Sequence, residues 1–123
     1  MGEKFDANQP IYLQIVQKAI RQIVRGDLKP GDKLKSVREM AVEYGVNPNT
    51  VQRVNSELER MGIIEARRGQ GMFVTDDEER LTMLRTELMD GQITQFVRDM
   101  RETGFSDEEI VEGVKRYLGL EQH

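Results

Sequence analysis

The feature that most constrains this chain is the run Gly45-Val46-Asn47-Pro48. Glycine is a helix stop, and proline suits the first position of a new helix because its missing N–H costs nothing there. Only Val46 and Asn47 lie between, with Asn47 placed to cap the next helix. Upstream, Ser36-Val37-Arg38-Glu39 forms a capping box, and Val37, Met40, Ala41 and Tyr44 form an apolar face. Downstream, Val51, Val54, Leu58 and Met61 recur at helical spacing before Gly62. Two short helices joined across so tight a turn read as a helix-turn-helix.

The flanking segments complete that unit. Pro10 suits the first position of an earlier helix, with Asn8 or Gln9 as cap, and Tyr12, Ile15, Val16, Ala19, Ile20 and Ile23 follow the helical period. Gly26 ends it, and residues 28–32 carry turn chemistry. After Gly62 the period changes. Residues 63–66 and 72–75 are strand candidates, and Arg67-Arg68-Gly69-Gln70-Gly71 between them is a basic hairpin tip. Three helices followed by a hairpin are the elements of a winged helix, closing near Thr75.

The rest reads as helix. Leu81, Leu84 and Leu88 are followed by Ile93, Phe96, Val97 and Met100, with an irregularity expected at Asp90-Gly91. Thr103-Gly104-Phe105 breaks the run, and a second capping box, Ser106 with Glu109, opens a helix that carries Ile110, Val111, Val114, Tyr117 and Leu118 to Gly119. Two helices cannot bury both faces alone, so they must pack on the first domain or on a second copy. The predicted fold is therefore mainly α with a small β-hairpin. A winged helix-turn-helix covers residues 1–75, and a short helical dimerisation or effector region covers residues 76–123. The candidate dimer contacts are Leu81, Leu84, Leu88, Ile93, Phe96, Val97, Met100, Val114 and Leu118.

Composition narrows the function. The chain has 123 residues and no cysteine, which removes disulfides, zinc–thiolate sites, iron–sulfur clusters and cysteine nucleophiles together. The one histidine is His123, the last residue, so histidine catalysis is not expected. No apolar run reaches the length of a membrane span, and residues 1–10 hold no signal-peptide core. A cytoplasmic, non-enzymatic protein without cofactor or metal is the expectation. The net charge of −4 averages two unlike parts. Residues 1–75 hold 12 Lys/Arg against 9 Asp/Glu, whereas residues 76–123 hold 6 against 13. Nucleic-acid binding depends on where charge sits, so an acidic total does not exclude it.

The candidate chemistry lies in the first turn of the third helix. Asn49, Thr50, Gln52 and Arg53 are polar, while Val51 and Val54 face inward. Amide, hydroxyl and guanidinium groups there match base edges and phosphates in a major groove, and the helix amides at residues 47–50 favour a phosphate. Any exposed first turn is polar, so the preceding helix and tight turn decide the reading. Arg38 can reach a phosphate or a guanine, or simply pair with Glu39 or Glu43. Arg67, Arg68, Gly69 and Gln70 at the wing tip suit a narrow minor groove or remain a solvated loop. Lys33 and Lys35 add charge for backbone contacts. Gly69-Gln70-Gly71 lacks the strand–turn–helix context of a dinucleotide site, and the acidic runs lack the ligand pattern of a metal loop.

Four blocks in order, Leu34-Lys35-Ser36-Val37-Arg38-Glu39-Met40-Ala41, Gly45-Val46-Asn47-Pro48-Asn49-Thr50-Val51-Gln52-Arg53, Leu58-Glu59-Arg60-Met61-Gly62-Ile63-Ile64 and Arg67-Arg68-Gly69-Gln70-Gly71-Met72-Phe73-Val74, resemble the GntR family of bacterial transcription regulators. The match runs from Gln9 to Thr75. The asparagine–proline–asparagine–threonine–valine run and the short tail are most similar to the YtrA-type subfamily, whose members carry two short C-terminal helices in place of a large metabolite-binding domain. The resemblance implies a winged helix-turn-helix homodimer that binds an inverted-repeat operator in double-stranded DNA, usually as a repressor. It matches Arg38, then Pro48, Asn49, Thr50 and Gln52 with Arg53 beside them, and Arg68 and Gly69 to the family's DNA-contacting positions; the residue-level reading adds Lys35, Ser36, Asn47, Arg67 and Gln70 as candidate DNA contacts. Two positions depart from the pattern. Lys35 replaces the usual proline, and Pro48 stands where an arginine is frequent, so base preference does not carry over. A small-molecule effector of unknown identity, and a winged helix used for protein contact instead of DNA, stay open at this point.

Overall fold

The computed structural model describes residues 7–120, so His123 and most of the segment read for a signal peptide lie outside the described residues. The order is α1 (Ile11–Arg25), α2 (Val37–Tyr44), α3 (Pro48–Arg60), β1 (Ile64–Arg67), β2 (Gly71–Val74), α4 (Glu78–Glu102) and α5 (Asp107–Leu118). This is the mainly helical fold with one antiparallel hairpin that the sequence predicts. Two compact units make it up, Met1–Leu84 and Arg85–His123.

In the first unit, local chemistry sets each helix end. Pro10 is extended (ψ 136°) and sits at the cap of α1 itself, one place before the predicted position. Its carbonyl accepts from the amides of Leu13 and Gln14, and no side chain caps the helix. Ser36 and Glu39 form the expected capping box at α2: the Ser36 Oγ accepts from the Glu39 amide at 3.1 Å, and Glu39 Oε1 accepts from the Ser36 amide at 3.0 Å. Gly45 ends α2 at φ +67°, a left-handed conformation in which a side chain would be strained.

The core explains why the helices keep their places. Ile15, Val16, Ala19 and Ile23 of α1 meet Met40, Ala41 and Tyr44 of α2 and Val51, Val54 and Leu58 of α3. The hairpin pairs Ile64 with Val74 through Arg67 with Gly71, and Ile63, Ile64 and Val74 close the core from below. A third segment also joins it. Lys33 bridges Phe73, the Leu34 amide donates to Met72 O at 2.8 Å, and the Val74 amide donates to Asp32 O at 2.8 Å.

The unit continues past Thr75, the boundary expected from sequence, to Leu84. The acidic run Asp76-Asp77-Glu78-Glu79 leads directly into α4. The Thr75 Oγ1 accepts from the Asp77 amide, Asp77 Oδ1 accepts from the Arg80 amide, and Glu78 and Glu79 complement the helix dipole. Leu84 then enters the core at 2% exposure, with Leu81 half-buried beside it.

In the second unit, α4 runs through Asp90-Gly91 without the expected break. One glycine costs a helix only about 1 kcal/mol relative to alanine. The Ser106–Glu109 capping box opens α5 as predicted, and the Arg101 guanidinium holds Asp107 through hydrogen bonds of 2.9 and 3.0 Å. Ile110 is the buried residue of α5.

Candidate nucleic-acid interface

The outer side of the helix-turn-helix rests on a fixed inner side. Val51 and Val54 are fully buried and Leu58 nearly so, which fixes the rotation of α3. Pro48, Asn49, Gln52 and Arg53 are exposed and Thr50 is half-buried, so the residues singled out from sequence do emerge together. The Asn47 Oδ1 accepts from the Asn49 amide at 2.8 Å, and Asn47 O accepts from the Thr50 amide at 2.9 Å. Pro48 lacks an N–H, and these bonds use the Asn49 and Thr50 amides, two of those expected to favour a phosphate.

At α2 the carboxylates are already engaged. Glu39 serves the capping box, and its bonds from Ser36 hold its carboxyl below the usual range. Glu43 receives both hydrogen bonds of Lys35 Nζ at 2.9 Å, which raises the lysine pKa. Arg38 is exposed and has neither carboxylate, nor any other partner among the described residues. The two basic residues of this turn thus differ: Arg38 is available, while Lys35 is neutralised. Ser36 is exposed, with its oxygen accepting from Glu39.

The wing divides its arginines in the same way. Arg67 turns back, its guanidinium carbon 4.2 Å from the Phe73 ring centroid and its Nη2 3.2 Å from Asp76 Oδ2. Arg68, Gly69 and Gln70 are exposed at the tip, where Gly69 takes φ +75° and the Gln70 amide donates to Arg67 O. A strand position opposite Gly71 and diagonal to Phe73 was the available signal that Arg67 braces the hairpin.

Sequence reasoning placed Tyr12 in the core and missed its second role. Its ring lies beneath Arg53, whose guanidinium carbon is 3.8 Å from the ring centroid. Among the described residues there is no cluster of His, Cys, Asp or Glu that could hold a metal ion, and no helix is long and apolar enough to cross a membrane.

In the second unit the predicted apolar stripe lines two grooves. Phe96, Met100, Val114 and Leu118 join Ile110, Gly113 and Tyr117 around an almost wholly apolar groove of about 430 Å³. Ile93 and Val97 line another of about 410 Å³ with Thr94, Arg98, Arg101 and Glu102. Leu88 is half-buried, and Leu81 and Leu84 belong to the first unit.

A tri-helical core, a short glycine turn, an outward polar helix and a basic hairpin define a winged helix-turn-helix protein. The model for "Bacterial regulatory proteins, gntR family" matches residues 11–74, and the chain belongs to that family. It is 47% identical over 117 residues to the uncharacterised HTH-type transcriptional regulator YhcF of Bacillus subtilis, covering 95% of this chain and 97% of that one. It is 38% identical to the HTH-type transcriptional repressor YtrA of Bacillus subtilis, covering 89% and 85%. Among solved structures, a GntR family transcriptional regulator from Listeria monocytogenes superposes with a TM-score of 0.85 at 40% identity, covering 91% and 98%. The AraR DNA-binding domain, solved in complex with operator ORE1, is similar at a TM-score of 0.53 and 25% identity, covering 61% and 89%. These relatives are transcriptional regulators, not enzymes.

Proposed function

We propose that this protein is a sequence-specific DNA-binding repressor that acts in the cytoplasm as a homodimer on an inverted-repeat operator. The observation that carries the reading is the polar outer face of α3, presented on fully buried Val51 and Val54 beside an unpaired Arg38. Arg38, Asn49, Thr50, Gln52 and Arg53 approach base edges and phosphates in the major groove, and Arg68, Gly69 and Gln70 approach the neighbouring backbone or minor groove. Residues 1–75 supply this DNA-binding part. The repressor named YtrA and the operator complex of AraR support the class of activity.

The second unit holds the two copies together. Phe96 at 43% exposure and Leu118 at 61% are large apolar groups open to solvent in one chain, and a symmetric partner buries such faces. Two copies then set half-sites about 10–10.5 bp apart, or a multiple of that. A small molecule that binds one dimer arrangement better would release the DNA.

Selection from a randomised duplex pool tests the reading, followed by salt titrations on the enriched duplex and a scrambled control. A palindrome with a clear affinity advantage and a steep salt slope is the expected result. Equal, weak binding to both duplexes overturns it in favour of a winged helix used for protein contact.

A further inference from the structure

We propose that Tyr12 is a positioning residue for DNA recognition, holding the Arg53 guanidinium over its ring so that the N–H donors are presented ready for a base or phosphate. This rests on the DNA-binding reading above and adds a residue outside the helix-turn-helix to the recognition apparatus.

The stack is close and firmly mounted. The Arg53 guanidinium carbon is 3.8 Å from the Tyr12 centroid, which is van der Waals contact with the ring face. Tyr12 lies in the first turn of α1 and packs against the core, and Arg53 lies in the second turn of α3. Buried Ile15, Val16, Val51 and Val54 fix the two helices, so ring and guanidinium meet at a set position.

The competing contact for Arg53 is withdrawn. Glu57 is one helical turn on, where an arginine normally finds its carboxylate. Arg60 takes that carboxylate instead, with Nε at 3.1 Å from Oε2 and Nη2 against Oε1. The Arg60 bond is the leading cause of the lowered Glu57 pKa, and Arg53 is the least of the causes. A face-on contact consumes no N–H, so Arg53 keeps the planar fork that reads guanine or grips a phosphate. A free arginine loses rotamer freedom when it binds, and a stack formed beforehand removes part of that cost.

The full-length protein and the duplex enriched by the wild type provide the test. Tyr12→Leu should weaken binding about three- to five-fold, the scale of an exposed cation–π contact. Tyr12→Phe, which keeps the ring, should bind as the wild type does. In an Arg53→Ala background, Tyr12→Leu should add nothing further. If leucine lowers the melting temperature, Tyr12→Met serves the same comparison. The stack is also read without DNA, because ring current shifts the Arg53 side-chain NMR signals upfield in the wild type and not in Tyr12→Leu. An unshifted Arg53, or an equal Tyr12→Leu loss with and without Arg53, overturns the assignment. Failure to enrich any duplex while the upfield shift persists overturns the DNA-binding reading, and the recognition role with it.

Discussion

Lys35 Nζ lies 2.9 Å from each carboxylate oxygen of Glu43, so the lysine at the entry to α2 is internally neutralised. Both side chains are exposed enough for water and salt to loosen the pair, and its contribution to stability is correspondingly small. Its effect on a polyanion is larger, because a paired lysine releases no counterion from DNA. Glu43→Gln should therefore tighten binding to the enriched duplex and steepen the salt slope by about 1. The same change in a Lys35→Ala background should do neither, as read by salt titration.

Arg38 offers the opposite case. Its neighbours Glu39 and Glu43 are committed to Ser36 and Lys35, which leaves the guanidinium open to a base or phosphate. Arg38→Ala should cost about 1–3 kcal/mol of binding to the enriched duplex and relax preference at one base position, if it contacts a base. A uniform loss across sequences, with a salt slope shallower by about 1, identifies a phosphate contact instead. The melting temperature should stay unchanged, since Arg38 is exposed.

The capping box gives α2 a pH dependence. Bonds from the Ser36 amide and hydroxyl hold the folded Glu39 carboxyl below its ordinary value of 4.5. Its stabilisation is therefore complete above that value and is lost as pH falls through the lower folded pKa. An NMR titration of the Glu39 side chain should show a midpoint below 4.5, and Glu39→Gln should remove that part of the acid transition.

What could be read from sequence was mostly what is decided within a few residues. Capping boxes at Ser36 and Ser106, the glycine turn at Gly45 and the inward spacing of Val51, Val54 and Leu58 are local, and they stand in the structure as written in the chain. The bridge from Lys33 to Phe73 and the stack of Arg53 on Tyr12 join distant segments, and no local pattern encodes them. The acidic run after Thr75 carries two meanings in sequence. Consecutive carboxylates look like a solvated linker, but at a helix start the same charges favour the exposed amides. Arg67 shows that a basic residue in a loop-like motif can be consumed by its own hairpin.

Leu84 and Phe96 share one apolar stripe in sequence and should respond differently to mutation. Leu84 is 2% exposed and packs in the core of the first unit, so Leu84→Ala removes buried methyl groups and leaves a cavity. A cost of about 2–5 kcal/mol in unfolding free energy is expected, visible as a lowered denaturation midpoint. Phe96 is 43% exposed and borders the apolar groove of the second unit. Phe96→Glu should leave the denaturation midpoint of the first unit near that of the wild type and convert dimer to monomer in sedimentation velocity. It should also weaken palindrome binding far more than half-site binding, because two recognition helices tethered together bind with a high effective concentration. A dimer that survives Phe96→Glu would place the partner on another face, and the groove lined by Ile93 and Val97 is the next surface to alter.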